Sequence, residues 1–158
     1  MESNPHRTKY TAQLDIRYGV CVNELNERLL RRVGIFLNVV SAFSTTAIFI
    51  SLKNQYPVLG LVAGSILTLM GFINSASSFA DKRAGHHQQK KAFAKLNSES
   101  EAMSLDAIDA RLRLLQAEGP DGLTGLDPVA YNRNVCSHGQ PEWQIPLSWW
   151  SRILAFLV

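Results

Sequence analysis

The sequence predicts an all-α membrane protein: a two-helix transmembrane hairpin whose helices extend into the cytoplasm, with short cytoplasmic helices and a C-terminal amphipathic segment. The prediction depends on the distribution of charge. No Asp, Glu, Lys or Arg occurs in residues 33–52 or in residues 54–80, which are runs of 20 and 27 residues. Because an α-helix rises about 1.5 Å per residue, about 20 residues cross a hydrocarbon core of about 30 Å. Each run is therefore long enough to span a bilayer.

Overall composition does not separate this class from a soluble protein, because 46% hydrophobic and 18% charged residues are ordinary values. The alternative is a helical hairpin buried in a soluble fold. We disfavour it because a chain of 158 residues leaves too little polypeptide to cover both helices on all sides. A cleaved signal peptide is also disfavoured, since charges of both signs precede the first apolar run and a second run follows almost at once.

The chain divides into six predicted segments. In order, these are a cytoplasmic amphipathic lead-in helix (1–32), transmembrane helix 1 (33–52), an external turn (53–57), transmembrane helix 2 (58–80), a cytoplasmic helical region (81–144) and an interfacial or interface-packing C-terminal helix (145–158). Apolar residues of the lead-in recur at helical spacing and form one stripe: Leu14, Tyr18, Val22, Leu25 and Leu29. No Pro or cluster of Gly interrupts residues 18–52, so the lead-in and the first span are predicted to form one continuous helix.

Helices are also predicted after the second span. The second span is expected to continue as a helix to about Asn97. A short helix runs from about Leu105 to Glu118, with its Leu and Ile residues on one face. After a Gly-Pro-Asp-Gly turn, another helix opens with Asp127 as its N-cap and Pro128 in its first turn, and it runs to about Cys136.

Orientation follows from the basic residues beside the two spans: Arg28, Arg31, Arg32, Lys82 and Arg83. The connecting turn offers only Lys53, so the positive-inside rule places both chain ends in the cytoplasm. Aromatic residues that prefer the headgroup region are predicted interfacial anchors: Tyr56, Trp149 and Trp150. Basic clusters also occur in nucleic-acid-binding proteins, but beside membrane spans they are typical topology determinants. We expect the lipid bilayer as partner and no direct nucleic-acid binding.

The second span carries a face of small residues at steps of four, four, three and four: Gly60, Gly64, Thr68, Gly71 and Ser75. Small residues allow helix backbones to approach closely in a membrane. We therefore expect this face to pack against the first span or against a neighbouring chain.

Polar side chains inside the spans form a second set of candidates: Asn38, Ser41, Thr45 and Asn74. An asparagine in hydrocarbon is costly unless it is hydrogen-bonded, so these asparagines should face protein or water. Two interpretations stay open: the set lines a pore or its constriction, or it forms hydrogen bonds between helices inside a bundle. Because two helices cannot enclose a conduit alone, a pore would require a homo-oligomer.

No combination of residues in the sequence indicates catalytic, cofactor-binding or metal-binding chemistry. His86 and His87 are adjacent, which directs them about 100° apart on a helix and makes them poor joint ligands. Cys136 and His138 have no nearby Cys or His to complete a zinc site. The sequence also has no phosphate-binding Gly loop, HExxH or GxSxG motif. We expect no enzyme activity, no cofactor and no bound metal.

Several features follow one another in a recognisable order from about Tyr10 onward. They are Arg17-Tyr18 in the lead-in, the very short hairpin turn, a basic helix with Ala84-x-x-His87, an Asp-rich short helix, a helix with Ala130-x-Asn132 and an end containing Trp and Arg. In this order the chain resembles the SLATT group, two-transmembrane effector domains associated with bacterial nucleotide-signalling defence systems. The resemblance implies a pore-forming or membrane-disrupting effector of abortive infection in the bacterial inner membrane. The implied partner is a sensor protein or a nucleotide signal from neighbouring genes.

Three functions remain open at the level of sequence. The first is an anti-phage effector that oligomerises and permeabilises or depolarises the inner membrane. The second is a non-conducting membrane scaffold whose cytoplasmic helices recruit a partner. The third is a holin-like lysis protein, which fits the size and the hairpin but usually has less cytoplasmic mass.

Overall fold

The computed structural model describes residues 7–158, except for the side chains of residues 75–77, and every regular element in that part is a helix. The α-helices are α1 (Lys9–Asn54), α2 (Pro57–Ser77), α3 (Phe79–Glu99), α4 (Leu105–Glu118), α5 (Asp127–Ser137) and α6 (Trp149–Leu157). Short 3-10 helices lie at Ser100–Ala102, Thr124–Leu126 and Pro141–Trp143. The all-α class is thereby confirmed for the described residues, and α4 has the predicted bounds.

The chain divides into two compact units. Leu30–Lys82 forms one, which we call the apolar hairpin, and the residues before Leu30 together with Arg83–Val158 form the other, which we call the polar unit. Helix α1 is unbroken over 46 residues. The prediction that the lead-in and the first apolar run form one helix is confirmed.

A two-residue turn closes the apolar hairpin. Gln55 has the left-handed backbone conformation with φ of 57°, and Tyr56 follows it. The Tyr56 N–H donates to the Ser51 carbonyl at 3.1 Å, and the Ser51 hydroxyl donates to the Tyr56 carbonyl. Pro57 then opens α2, where its missing N–H has no intrahelical partner to lose.

Both helices of the apolar hairpin are long and apolar enough to cross a membrane. Within the 18-residue stretch that qualifies each of them, only 11% of the residues are buried in the first and 6% in the second. A core helix of a soluble protein has the opposite property, since most of its apolar residues are covered.

Mainly small residues form the contact between the two helices of the apolar hairpin. Leu37, Ser44 and Ser51 are buried on α1 at steps of seven residues, a spacing that keeps side chains on the same side of a supercoiled helix. On α2, Ala63 is buried, and a Cβ atom added to Gly60 would lie 2.6 Å from the Ser51 hydroxyl. The glycine is therefore needed for this close approach.

One residue interrupts the predicted continuation of the second apolar helix. Ser78 has φ of 46° and ψ of 41°, which ends α2, and α3 begins at Phe79. This left-handed conformation costs a residue with a side chain about 1–2 kcal/mol. The Lys82 N–H donates to the Ser78 carbonyl at 3.0 Å, so helical hydrogen bonding resumes at once. The predicted helical continuation to about Asn97 is therefore present, but it is interrupted at this one residue.

The core of the polar unit forms from α1, α3 and α4. Its buried side chains are Ala12, Ile16, Phe93, Leu96, Ile108 and Leu112. The Phe93 ring packs directly on Gly19, where an added Cβ would lie 2.6 Å from the ring. Glycine at this position thus allows α3 to approach α1 closely.

The predicted apolar stripe of the lead-in is only partly buried. Leu25 and Leu29 are buried, whereas Leu14, Tyr18 and Val22 are half-buried. The reason is that α1 contacts other helices on more than one side, so its inward positions are not confined to a single stripe. For example, the Asn134 side chain of α5 donates to the Leu14 carbonyl at 3.4 Å.

Helix α5 does not begin with the predicted N-cap. Leu126 is the capping residue and Asp127 already has helical φ and ψ, because the 3-10 helix Thr124–Leu126 leads directly into α5. The Asn132 side chain of α5 then forms a pair of 2.8 Å hydrogen bonds with the backbone of Ile145, one to its carbonyl and one from its N–H. These bonds hold the extended segment that precedes α6.

Helix α6 packs on the same part of the polar unit. The Ser148 hydroxyl caps it by accepting from the Ser151 N–H at 3.1 Å, and Ser151 and Leu154 are buried. A Cβ added to Gly125 would lie 2.7 Å from Leu154 and 2.9 Å from the Trp150 ring. The inner side of α6 therefore packs against bare backbone at this glycine.

Candidate functional site

The polar side chains predicted to line a pore or a bundle lie on the surface of the apolar hairpin. Asn38, Thr45 and Asn74 are exposed and Ser41 is half-buried. The Thr45 hydroxyl donates to the Ser41 carbonyl of its own helix at 2.8 Å, which satisfies it without a second helix. The serines in the contact between α1 and α2 are instead Ser44 and Ser51.

The predicted small-residue face is divided between two environments. Gly60 contacts α1 at Ser51, as described above. At Gly64 and Gly71, a Cβ atom would meet nothing within 4 Å among the described residues, and Thr68 is exposed. The Ser75 side chain lies outside the described residues. This leaves a strip of α2 around Gly64 open for a further helix.

The predicted basic and aromatic anchors are largely on the surface. Arg31, Arg32, Lys82 and Arg83 are exposed, while Arg28 forms an ion pair with Glu24 one turn earlier in α1. The predicted interfacial aromatic residues are also exposed, namely Tyr56 (60%), Trp149 (73%) and Trp150 (48%).

The outer side of α6 presents apolar side chains to the surroundings. Phe156 is 87% exposed and Ile153 is 42% exposed, while the only charged residue of the helix is Arg152, also exposed. The Trp149 and Trp150 rings form an edge-to-face pair with centroids 5.8 Å apart. Helix α6 is thus amphipathic, with its inner side on the polar unit and an aromatic outer side.

A polar network joins α1 to α3 inside the polar unit. His86 Nδ1 lies 2.9 Å from Asn23 Oδ1, and His87 Nδ1 lies 3.0 Å from Glu27 Oε1. Lys90 donates to the other oxygen of the Glu27 carboxylate. The two acceptors on α1 and the three partners on α3 lie within about one turn of their helices, so their contacts fix the register of the two helices.

The same region of α1 holds the segment between α4 and α5. Asn26 accepts from the Leu123 N–H at 3.0 Å through its side-chain oxygen and donates to the Val22 carbonyl at 2.9 Å. Its exposed fraction is 1%. A buried amide with both its oxygen and its nitrogen bonded is a specific connection, because loss of either partner would leave a buried polar atom unpaired.

Two groups in the network have shifted pKa values. Burial lowers the pKa of His86, although the Asp121 backbone and the Glu27 charge act in the opposite direction. The hydrogen bond from Lys90 is the main cause that lowers the pKa of Glu27, with His87 adding to it. At neutral pH the network therefore consists of a neutral buried imidazole beside a stable carboxylate–ammonium pair.

Sequence reasoning missed these inward-facing polar residues. Asn23 and Asn26 continue the spacing of Ala12, Ile16 and Gly19, so that the five positions step by four, three, four and three along α1. This spacing places polar residues on the packed side of the helix. A stripe defined by apolar residues alone does not include these five positions, because two of them are amides.

No known protein family, curated protein or solved structure matches the chain. Within residues 7–158, no group of three or more His, Cys, Asp or Glu side chains is placed to hold a metal ion. The surface of the apolar hairpin and the packing of the polar unit are therefore the features from which a function can be inferred.

Proposed function

We propose that this chain is a membrane effector that assembles with copies of itself and permeabilises or depolarises the bacterial inner membrane. The observation that carries the proposal is the exposure of the apolar hairpin, whose two apolar stretches are only 11% and 6% buried. Contiguous apolar surface of this extent favours contact with lipid or with another protein. Two such helices joined by a two-residue turn have the length and composition of a membrane-inserted pair.

Assembly is supported by the polar and small residues that the hairpin leaves uncovered. Asn38 and Asn74 are exposed, and the backbone of α2 is open at Gly64. In hydrocarbon each amide would need a hydrogen-bonding partner, which the same face of another copy or a water-filled lumen supplies. Close approach at the open glycine would bring a neighbouring helix within reach.

The basic residues at the ends of the two apolar helices support an orientation with both chain ends in the cytoplasm. In that orientation the polar unit meets any sensor protein or nucleotide signal. The role in abortive-infection defence rests on the resemblance to the SLATT group, and it makes the neighbouring genes part of the test.

The proposal is tested by inducing the chain in bacteria that carry a potential-sensitive dye, with and without the neighbouring genes. We expect loss of membrane potential and arrested growth once the activating partner is present. Asn38→Leu should reduce the loss of potential, whereas Val39→Leu, one position along the same exposed helix, should leave it unchanged. Unchanged potential and growth in every combination would contradict the proposal.

A second candidate function is a non-conducting scaffold that recruits a cytoplasmic partner. The exposed aromatic side of α6 favours it, because Phe156 is 87% exposed and is available to a partner. In this case Asn38→Leu leaves activity intact, whereas Phe156→Ser abolishes it. The effector proposal expects a loss with the asparagine variant, so the pair of substitutions separates the two functions.

A further inference from the structure

A cleft in the polar unit has the properties of a ligand site. It has a volume of about 320 Å³, and it is bounded by α1, α3, the last turn of α4 and the segment that leads into α5. Small-molecule sites in proteins have volumes of about 300–1,000 Å³. The cleft is therefore large enough for a small ligand, and four parts of the chain would contact it together.

The formal charges that line the cleft are negative. They belong to Asp15 on α1 and to Asp127 at the start of α5. Arg7 neutralises Asp15 through a 2.9 Å ion pair. Within residues 7–158, no Lys, Arg or His nitrogen lies within 4.0 Å of the Asp127 carboxylate. Asp127 is thus a half-buried carboxylate that the described chain leaves without a counter-ion.

Two aromatic side chains line the same cleft as this carboxylate. Tyr18 and Phe93 both line the cleft. The pKa of Tyr18 is raised, first by burial and then by the charge of Asp127, as expected for a phenol close to that carboxylate. Burial raises the pKa of Asp127 as well, so a bound cation would relieve the cost of its desolvated charge.

The other polar groups of the cleft also suit a cation. The last turn of α4 lies at its edge, where helical carbonyls carry partial negative charge. The histidine on the wall, His86, has a lowered pKa because it is buried, and a neutral imidazole does not repel a cation. The side-chain amides of Gln89 and Gln116 add oxygen acceptors for N–H donors.

We propose that this cleft binds an organic ammonium ion, with the ammonium group between the Asp127 carboxylate and the Tyr18 ring. An aromatic face together with a carboxylate is the arrangement that recognises protonated and quaternary amines. A ligand held there would contact α1, α3, α4 and α5 at once and would stabilise their arrangement by mass action. This inference goes beyond the membrane function and does not depend on it, since its test measures binding alone.

The test is a calorimetric titration of the full chain in neutral detergent micelles with spermidine, with choline and, as an anionic control, with ATP. We expect one saturable site per chain for at least one of the two amines and none for ATP. Asp127→Asn should weaken amine binding at least tenfold. Asp106→Asn is the matched control, because Asp106 is also an acid in the first turn of a helix, but it is exposed and does not line the cleft.

A second pair of variants keeps the proposal testable if Asp127→Asn disturbs folding, which helical circular dichroism detects. Tyr18→Phe retains the ring and should retain binding, whereas Tyr18→Leu should lose it. The proposal is overturned if neither amine binds saturably, if ATP binds in their place, or if Asp106→Asn weakens binding as much as Asp127→Asn. Equal binding by the leucine and phenylalanine variants would also overturn it.

Discussion

At the scale of single residues, the contact between α1 and α3 depends on buried polar groups that are hydrogen-bonded to each other. Asn23 donates to the Gly19 carbonyl at 2.8 Å through its nitrogen, so its oxygen is the atom that faces His86. The imidazole must therefore donate from Nδ1 to form this bond. The exposed fraction of His86 is 2%, so replacement by a residue that cannot donate would leave the Asn23 oxygen buried and unpaired, which costs about 1–3 kcal/mol.

The lowered pKa of His86 predicts that the polar unit loses stability on acidification. Below the ordinary histidine pKa of about 6.5, the unfolded chain binds a proton that the folded chain resists, so the free energy of unfolding falls as the pH falls. We expect the melting temperature in detergent, followed by circular dichroism, to drop between pH 7.5 and pH 5.5. The melting temperature of the His86→Gln variant should drop less over this range, because the glutamine amide does not titrate.

Gln88→Ala is the control for this prediction, since Gln88 is an exposed residue of the same helix that does not titrate, and its replacement should leave the pH dependence as in the wild type. The melting temperature of both variants should still depend on pH to some extent, because burial and the Arg17 charge lower the pKa of His138 as well. If His86→Gln and the wild type show the same drop, the pH dependence does not arise from His86.

At the scale of elements, the apolar hairpin predicts different effects at two glycines of the same helix. Gly60→Ile would place a branched side chain against Ser51 and force α2 away from α1, and overpacking of this kind costs about 1–3 kcal/mol. Gly64→Ile points into open space and should leave the melting temperature of the chain in detergent unchanged. In membranes, however, Gly64→Ile should reduce crosslinked oligomers if copies assemble on this face.

Equal losses of melting temperature for the two isoleucine variants would contradict the division of the small-residue face into an internal and an open part. An unchanged ladder of crosslinked oligomers for Gly64→Ile would instead count against assembly through α2. The two measurements thus separate the packing inside one hairpin from the proposed packing between copies.

The positions of the helices could be predicted from the sequence where capping residues or helix-breaking residues determine them. The bounds of α4 were predicted correctly, because Ser104 caps its first turn and Gly119-Pro120 follows its end. The unbroken α1 was predicted because nothing in it breaks a helix. The interruption at Ser78 was not predictable in this way, since neither Gly nor Pro marks it and the left-handed conformation belongs to a serine.

The burial of individual side chains was harder to predict from the sequence, because it depends on which helices pack together. The apolar stripe of the lead-in assumed one covered side, whereas α1 is covered on several sides. The burial of Asn26 depends on Leu123, which is far away in sequence. For the candidate residues of the hairpin, the sequence identified the polar positions, but only the structure shows that Ser44 and Ser51 face α2 while Asn38 does not.

At the scale of the whole molecule, tryptophan is confined to one short segment. The three tryptophans of the chain are Trp143, Trp149 and Trp150. Intrinsic tryptophan fluorescence therefore reports on the C-terminal segment alone. The exposed aromatic side of α6 and its single charge, Arg152, predict that this helix lies at the lipid headgroups.

We expect lipids brominated near the headgroup to quench the tryptophan emission of the chain reconstituted in nanodiscs. Phe156→Ser, which removes the most exposed apolar side chain of α6, should reduce the quenching, whereas Leu114→Ser, an exposed apolar position on α4, should not. Absence of quenching, together with protection of the tryptophans from aqueous iodide, would place α6 in a subunit interface instead.

The packing of α6 on Gly125 has a consequence for how this sequence can diverge. Any side chain at position 125 would collide with Leu154 and with the indole of Trp150, so the glycine can change only when both neighbours become smaller or move. In homologues we therefore expect position 125 to vary together with positions 150 and 154, whereas the exposed Phe156 can vary independently of them. Coupled substitution at these three positions is then a pattern by which distant relatives of this chain can be recognised.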